Sequence, residues 1–360
     1  MTTRSQVAVL RTQPETVVED YGRLMRLSKY DQAVPREHEL ILKLNLSWTK
    51  YFPACSSQPW QVDGILTTLL ADGYDRARIL PVENKTVVTN PVEGCRNNRW
   101  DPVLRRHGVA FIPLPEVEWT VYRFTSPLLR LNRIFPAGIE IPRMYVGKNI
   151  LQLPTMKTHG HSTTTGAIKN SFGGLLKEVR HYAHEFMHEV LVDLMYMQRE
   201  LHPGIFAVMD GTVMGDGAGP RTMVPRVGNL ILAAADQVAI DAIAAKIMGF
   251  DPMAIPYLRM CHERGLGVAD PREIEIVGDA EAADVTMGFK TSRSLVIWGD
   301  QLIRRGPLRP LKRLLLHSPL VVWAPFASNV YHDFLWYPTV GRGRIRAFRD
   351  TPWGRLFDRY

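Results

Sequence analysis

The chain has 360 residues, 46% of them hydrophobic and 22% charged, which excludes a wholly disordered chain, a collagen and a coiled-coil rod. Its three cysteines, Cys55, Cys95 and Cys261, are odd in number and far apart, so they form neither a disulfide framework nor a CxxC metal pair. The net charge of +8 belongs to one end: residues 301–360 hold eleven Arg and Lys against three Asp, while residues 1–300 hold 33 of each sign.

Val7–Leu10 predicts a strand and Thr16–Leu27 a helix; Leu40–Leu46 alternates as a strand. Pro59–Leu70 predicts a helix, followed by strands at Arg78–Pro81 and Val109–Ile112. This rhythm predicts an α/β fold with a mostly parallel sheet flanked by helices. Periodicity is lost over 114–147, where an irregular insertion or lid is expected. Asn149–Leu153 resumes as a strand, and one long helix is expected from about Leu175 to Leu201. Ile205–Met209 predicts a strand, Gly215–Pro220 a glycine-rich loop, Leu230–Ala234 a strand, Gln237–Met248 a helix and Ile274–Val277 a last strand. A soft boundary separates an α/β domain, 1–280, from a basic, aromatic-rich C-terminal extension, 281–360. No apolar run reaches the ~18–20 residues of a membrane span, and the N-terminus lacks a secretory pattern, so the cytoplasm is the expected compartment.

The densest polar segment, Pro154–Asn170, follows the strand at 149–153 and holds Lys157, His159, His161, Lys169 and six hydroxyls. Open α/β sheets bind ligands beyond the carboxyl ends of their strands. Lysines, hydroxyls and glycine amides there suit a small phosphorylated or carboxylated molecule, with Lys157 and Lys169 stabilising charge and His159 moving a proton or holding a metal. Asp210 and Asp216 could hold a divalent cation, and Gly217 and Gly219 offer amides to an anion. His184-Glu185-Phe186-Met187-His188 spells HExxH, which on one helix could chelate zinc through His184 and His188 with Glu185 activating water; a zinc hydrolase is the alternative reading. Asp236 is expected to cap the helix 237–248, and Asp241 to face the cleft or a lysine such as Lys169. Residues 157–170, 180–184 and 210–220 should then line one cleft. A non-catalytic binding or assembly protein is the third reading.

Leu153-Pro-Thr-Met-Lys-Thr-His159, Thr164–Gly173, Met209–Pro220, Leu232–Asp241 and Gly265-Leu-Gly267 with Ile274–Gly278 resemble, in order and spacing, the domain-of-unknown-function 362 family over roughly 5–280. The resemblance implies a site that includes Lys43, Asn45, Asn170, Arg180 and His184. Lys43-Leu-Asn-Leu46 departs from the family's Lys-Pro-Asn-Leu element at Leu44. Some members carry ferredoxin-like cysteines; this chain has none, so no iron–sulfur cluster is expected. The order His159…Gly166…Lys169 is also similar to a pattern in the nickel-pincer lactate racemase family, which uses histidines and a lysine around a nucleotide-derived nickel cofactor.

The ten aromatics of residues 301–360 are interleaved with arginines. Much of Leu311–Trp336 is expected to pack onto the α/β body or a second subunit, with Arg342, Arg344 and Arg346 exposed. Peripheral docking on an anionic membrane is the alternative; no specific nucleic acid partner is expected.

Overall fold

Val7 and Val9 enter one hydrophobic core and Ala8 and Leu10 another, the period of two required of a strand buried on both faces. The same alternation sorts Met209 from Val208 and Leu232 from Ile231. The computed structural model describes residues 5–86, 89–177, 183–294, 298–299, 302–303, 306 and 323–360. Its strands are β1 (Ser5–Arg11), β2 (Leu40–Lys43), β3 (Ile79–Glu83), β4 (Ile112–Pro113), β5 (Trp119–Tyr122), β6 (Ile139–Pro142), β7 (Asn149–Gln152), β8 (Thr155–His159), β9 (Thr163–Thr165), β10 (Ile205–Ala218), β11 (Thr222–Ala234) and β12 (Ile274–Gly278).

Ten of them form one sheet in the order β12-β1-β11-β10-β7-β2-β3-β4, with β8 paired to β10 and to β9. The neighbours β10, β7, β2, β3 and β4 run parallel, as do β1 with β12 and β8 with β10; β11 is antiparallel to both its neighbours. The α/β expectation therefore holds. One face is covered by the helices Ala167–Leu175, Met187–Leu201, Gln237–Met248 and Pro256–Glu263. The other is covered by Val17–Leu27, Pro59–Ala71 and Trp100–His107.

Three expectations need correction. The glycine-rich stretch 215–218 is not a loop but the far half of β10, which pairs with β11 down to Ala218↔Thr222. Glycines read as turn signals here because they lie where neighbouring chains come too close for a side chain. Of the long helix expected from about Leu175 to Leu201, Met187–Leu201 is helical, preceded by a single tight helical turn at 183–186; Leu175 instead ends the helix Ala167–Leu175, and 178–182 lie outside the described residues. The 114–147 insertion is not loose. Strands β5 and β6 pair antiparallel within it, and the fully buried carboxylate of Asp193 accepts the N–H groups of Leu129, Arg130 and Leu131 at 2.5–2.9 Å.

The extension divides in two. Trp336, Phe348, Trp353 and Phe357 are buried in the second core. Trp353 packs 5.2 Å from Trp60 and donates Nε1–H to Asn229, and Phe357 stacks 3.8 Å from Tyr51. Of the segment Leu311–Trp336 expected to pack, Trp336 is buried while Phe326 and Phe334 stay exposed, and 307–322 lie outside the described residues; Phe348, Trp353 and Phe357 lie beyond that segment. Arg342 and Arg346 are exposed as expected, but Arg344 is half-buried: its guanidinium donates to the carbonyls of Thr222 and Met223 and lies over the Trp336 ring. No helix among the described residues is long and apolar enough to cross a membrane.

Candidate functional site

Strand β8 leaves the sheet beside β10, in register Thr155↔Asp210 and Lys157↔Gly215, then folds back as β9. Its odd-numbered side chains run from the interior to the sheet's carboxyl end. Lys157 is fully buried, and its ammonium donates to Oδ1 of Asn45 at 2.6 Å, to the carbonyl of Cys55 at 3.0 Å and to Oγ1 of Thr155. Those three acceptors use its three N–H bonds. Burial pushes its pKa down to about 8. Lys157 is expected to contact an anion; its ammonium is held by these three acceptors, and it is not among the residues lining the pocket beside His159. Asn45 passes the contact on, donating to Oδ1 of Asn170, whose amide donates to Gln152 and to the Lys43 carbonyl.

One strand pair further out lies His159, 5% exposed, at the wall of a pocket of about 220 Å³ lined by His159, Gly160, His161, Thr163, Thr291, Ser292 and Arg293. Nδ1 of His159 accepts the N–H of His161 at 3.1 Å, which puts the neutral ring's proton on Nε2. Burial, then the nearby charge of Lys169, then His161 and His184, hold the imidazole well below its ordinary pKa. The rings form a chain: His159 to His161 at 5.9 Å, His161 to His184 at 5.6 Å, and His184 to Phe172 at 5.5 Å, with the Lys169 ammonium 5.7 Å from the Phe172 ring. His159, Lys169 and His184 thus converge as expected, and the lining contains no carboxylate among the described residues.

Of the lining residues, His159, Gly160, His161 and Thr163 lie in the polar segment 154–170, whereas the sequence reading did not single out Thr291, Ser292 and Arg293. The last three were assigned to the extension. They reach the site because the segment 290–292 runs alongside β10: the N–H of Lys290 bonds Oδ1 of Asp216 at 3.0 Å, and that of Ser292 the carbonyl of Gly217 at 3.1 Å.

The remaining candidates serve the fold. Lys43 forms a buried ion pair with both oxygens of Glu83 at 2.9 Å, so its expected substrate contact is corrected. Asp210 accepts bonds from Tyr21 (2.7 Å), Trp60 (3.1 Å) and both the N–H and hydroxyl of Thr212 (3.1 and 2.9 Å). These donors occupy the lone pairs a cation would need, and burial still raises its pKa to about 6. Asp216 is held by Arg226 at 2.7 Å. Neither carboxylate is presented as a metal ligand. Gly217, at φ +99°, and Gly219 let β10 close over β8: a Cβ on Gly219 would stand 1.8 Å from the Thr158 carbonyl oxygen, so packing, not an anion, accounts for them. Asp241 meets no lysine. It caps another helix, accepting the N–H groups of Ala167 at 2.6 Å and Ile168 at 3.2 Å, and a Cβ on Gly166 would stand 2.1 Å from its Oδ1. Asp236 caps its own helix as expected.

The HExxH motif is not presented by one helix. His184 and Glu185 lie in the tight turn, His188 lies in the first turn of Met187–Leu201, and its ring stacks on Tyr257 while that of His184 faces His161. No three of His, Cys, Asp and Glu assemble into a metal cluster among the described residues. Arg180 lies outside the described residues.

The Thylakoid-associated protein sll1697 of Synechocystis sp. is 26% identical over 155 residues, covering 41% of this chain and 43% of that protein. The chain thus aligns with less than half the length of this relative. The model of a domain of unknown function, DUF362, matches residues 40–246. That span is more than half of the chain and takes in β8, β9 and every lining residue up to Thr163, and by it the chain belongs to the DUF362 family.

Proposed function

We propose that the chain is an enzyme acting on a small phosphorylated or carboxylated molecule held in the pocket at the end of β8. The observation that carries this reading is the one-sided charge of the site. Arg293, two imidazoles and three hydroxyls line it, and Lys169 and His184 add further positive character close by. Imidazoles pushed together with a lysine lose their protons, and an anion placed among them restores the charged form. His159 is suited to donate Nε2–H to a substrate oxygen and to take up a proton as the anion arrives, while Arg293 and the hydroxyls of Thr291 and Ser292 orient the anion. Lys157 acts through Asn45 on the site's floor rather than on the substrate.

Isothermal titration with inorganic phosphate and with oxalate tests binding. Arg293→Gln should weaken it about tenfold, the scale of one charge-assisted hydrogen bond. Binding should also take up protons, seen as a heat that varies with the buffer's ionisation enthalpy. Binding unchanged in Arg293→Gln, or absent for both anions in the parent protein, would overturn the reading.

A further inference from the structure

The helix Trp323–Asn329 continues into a π-helix, Val330–Gly341, and then into the helix Arg342–Arg349. Along it, Ser328, His332, Trp336 and Gly341 are buried, spaced at four or five residues. That is about one turn as an α-helix opens into a π-helix. The buried side is well partnered: Trp336 packs 5.3 Å from Phe52 and 6.1 Å from Trp48.

The outward side has the opposite of a usual surface composition. Phe326 is 70% exposed, Phe334 73%, Leu335 57% and Val340 42%. Surface helices normally turn charge outward. Here the only carboxylate between 323 and 349, that of Asp333, is drawn to the side by Trp48, which donates Nε1–H to it at 2.7 Å. The outward apolar row is then followed by the exposed Arg342, Arg346 and Arg349. In sequence, residues 301–322 add five Arg and Lys and no acidic residue.

We infer that this face is a docking surface for an anionic lipid bilayer, with Phe326, Phe334, Leu335 and Val340 entering the headgroup boundary and the arginines meeting lipid phosphates. Aromatic rings beside arginines without intervening carboxylates match the two requirements of interfacial binding: apolar area to bury and positive charge to attract the surface. A second copy of the chain is the poorer occupant, because a symmetric contact would set like arginines against each other. The inference stands apart from the pocket and does not depend on it.

Flotation of the full chain with vesicles of phosphatidylglycerol in phosphatidylcholine tests it, beside vesicles of phosphatidylcholine alone. The chain should float with the anionic vesicles at low salt and stay behind near 1 M salt, where the Debye length is about 3 Å. Phe326→Ser with Phe334→Ser should lower partitioning at least tenfold, on the order expected for losing two rings. Arg342→Gln with Arg346→Gln should lower it at least fivefold. Both doubles should melt within about 2 °C of the parent, since the side chains are exposed. No flotation on the anionic vesicles overturns the inference. So does salt-insensitive flotation on both vesicle types, or a solution dimer that Phe334→Ser dissociates.

Discussion

Replacing Lys43 with Met leaves the Glu83 carboxylate buried without its counter-ion. The two side chains are 1% and 3% exposed, so water cannot take the place of the ammonium. Removing one partner of such a pair costs about 3–5 kcal/mol. At ~2.1 cal/mol/K of unfolding entropy per residue, a chain of this length loses about 4–7 °C in melting temperature. The double variant Lys43→Met, Glu83→Gln removes the stranded charge and keeps an oxygen for the Asn84 N–H, which Oε1 of Glu83 now accepts at 2.8 Å. It should recover all but about 1–2 kcal/mol, the remainder being the lost donor to the Leu44 carbonyl. Thermal melts of the three proteins, with phosphate titrations alongside, decide the matter. If Lys43→Met melts like the parent but loses phosphate binding, Lys43 is a ligand contact and the reasoning from the buried pair is wrong.

Burial, above all, raises the pKa of Asp241 to about 7, well above the usual carboxylate range. Its contribution to stability is therefore complete below about pH 4 and lost as the pH rises through 7. The advantage of the parent over Asp241→Asn in urea midpoint should shrink from pH 5 to pH 8; a gap that widens would contradict this. Gly219→Ala forces a methyl group against the Thr158 carbonyl and should destabilise the chain by roughly 1–3 kcal/mol or more, as overpacking does, measured by urea unfolding. Trp353→Ala should cost about 3–5 kcal/mol and open the last helices to protease, checked by limited proteolysis; an unchanged digestion pattern would show that the ring does not anchor them.

The core strands and the helices 17–27 and 237–248 were legible because their apolar spacing agrees with the fold, and Asp236 caps the second of these helices. The polar segment after residue 153 was legible as a candidate site because hydroxyls, histidines and lysines crowd there with few apolar residues between them. What misled was chemistry whose partner is distant in sequence. Asp241 resembles a cleft residue until Ala167 is seen above it, and Asp210 resembles a metal ligand until Tyr21 and Trp60 are seen to hold it. Glycines 215, 217 and 219 signal a turn and a close approach equally well, and only the pairing with β11 separates the two. Thr291, Ser292 and Arg293 carry no local pattern; their place in the pocket is set by bonds to Asp216 and Gly217, about seventy-five residues earlier.

Strand β1 sits between β11 and β12, with Ala8 opposite Ala233 and Val7 opposite Ile276. Strand β1 therefore has no sheet neighbour until β11, at Thr222–Ala234, is synthesised, and lacks its second until β12 follows at Ile274–Gly278. At about 5–20 residues per second, Val7–Leu10 waits on the order of 10–50 s with its apolar side chains and both hydrogen-bonding edges open. Contacts of this sequence separation are also the slowest to close on refolding. Any truncation that removes β11 and β12 leaves β1 as an unpaired, aggregation-prone edge.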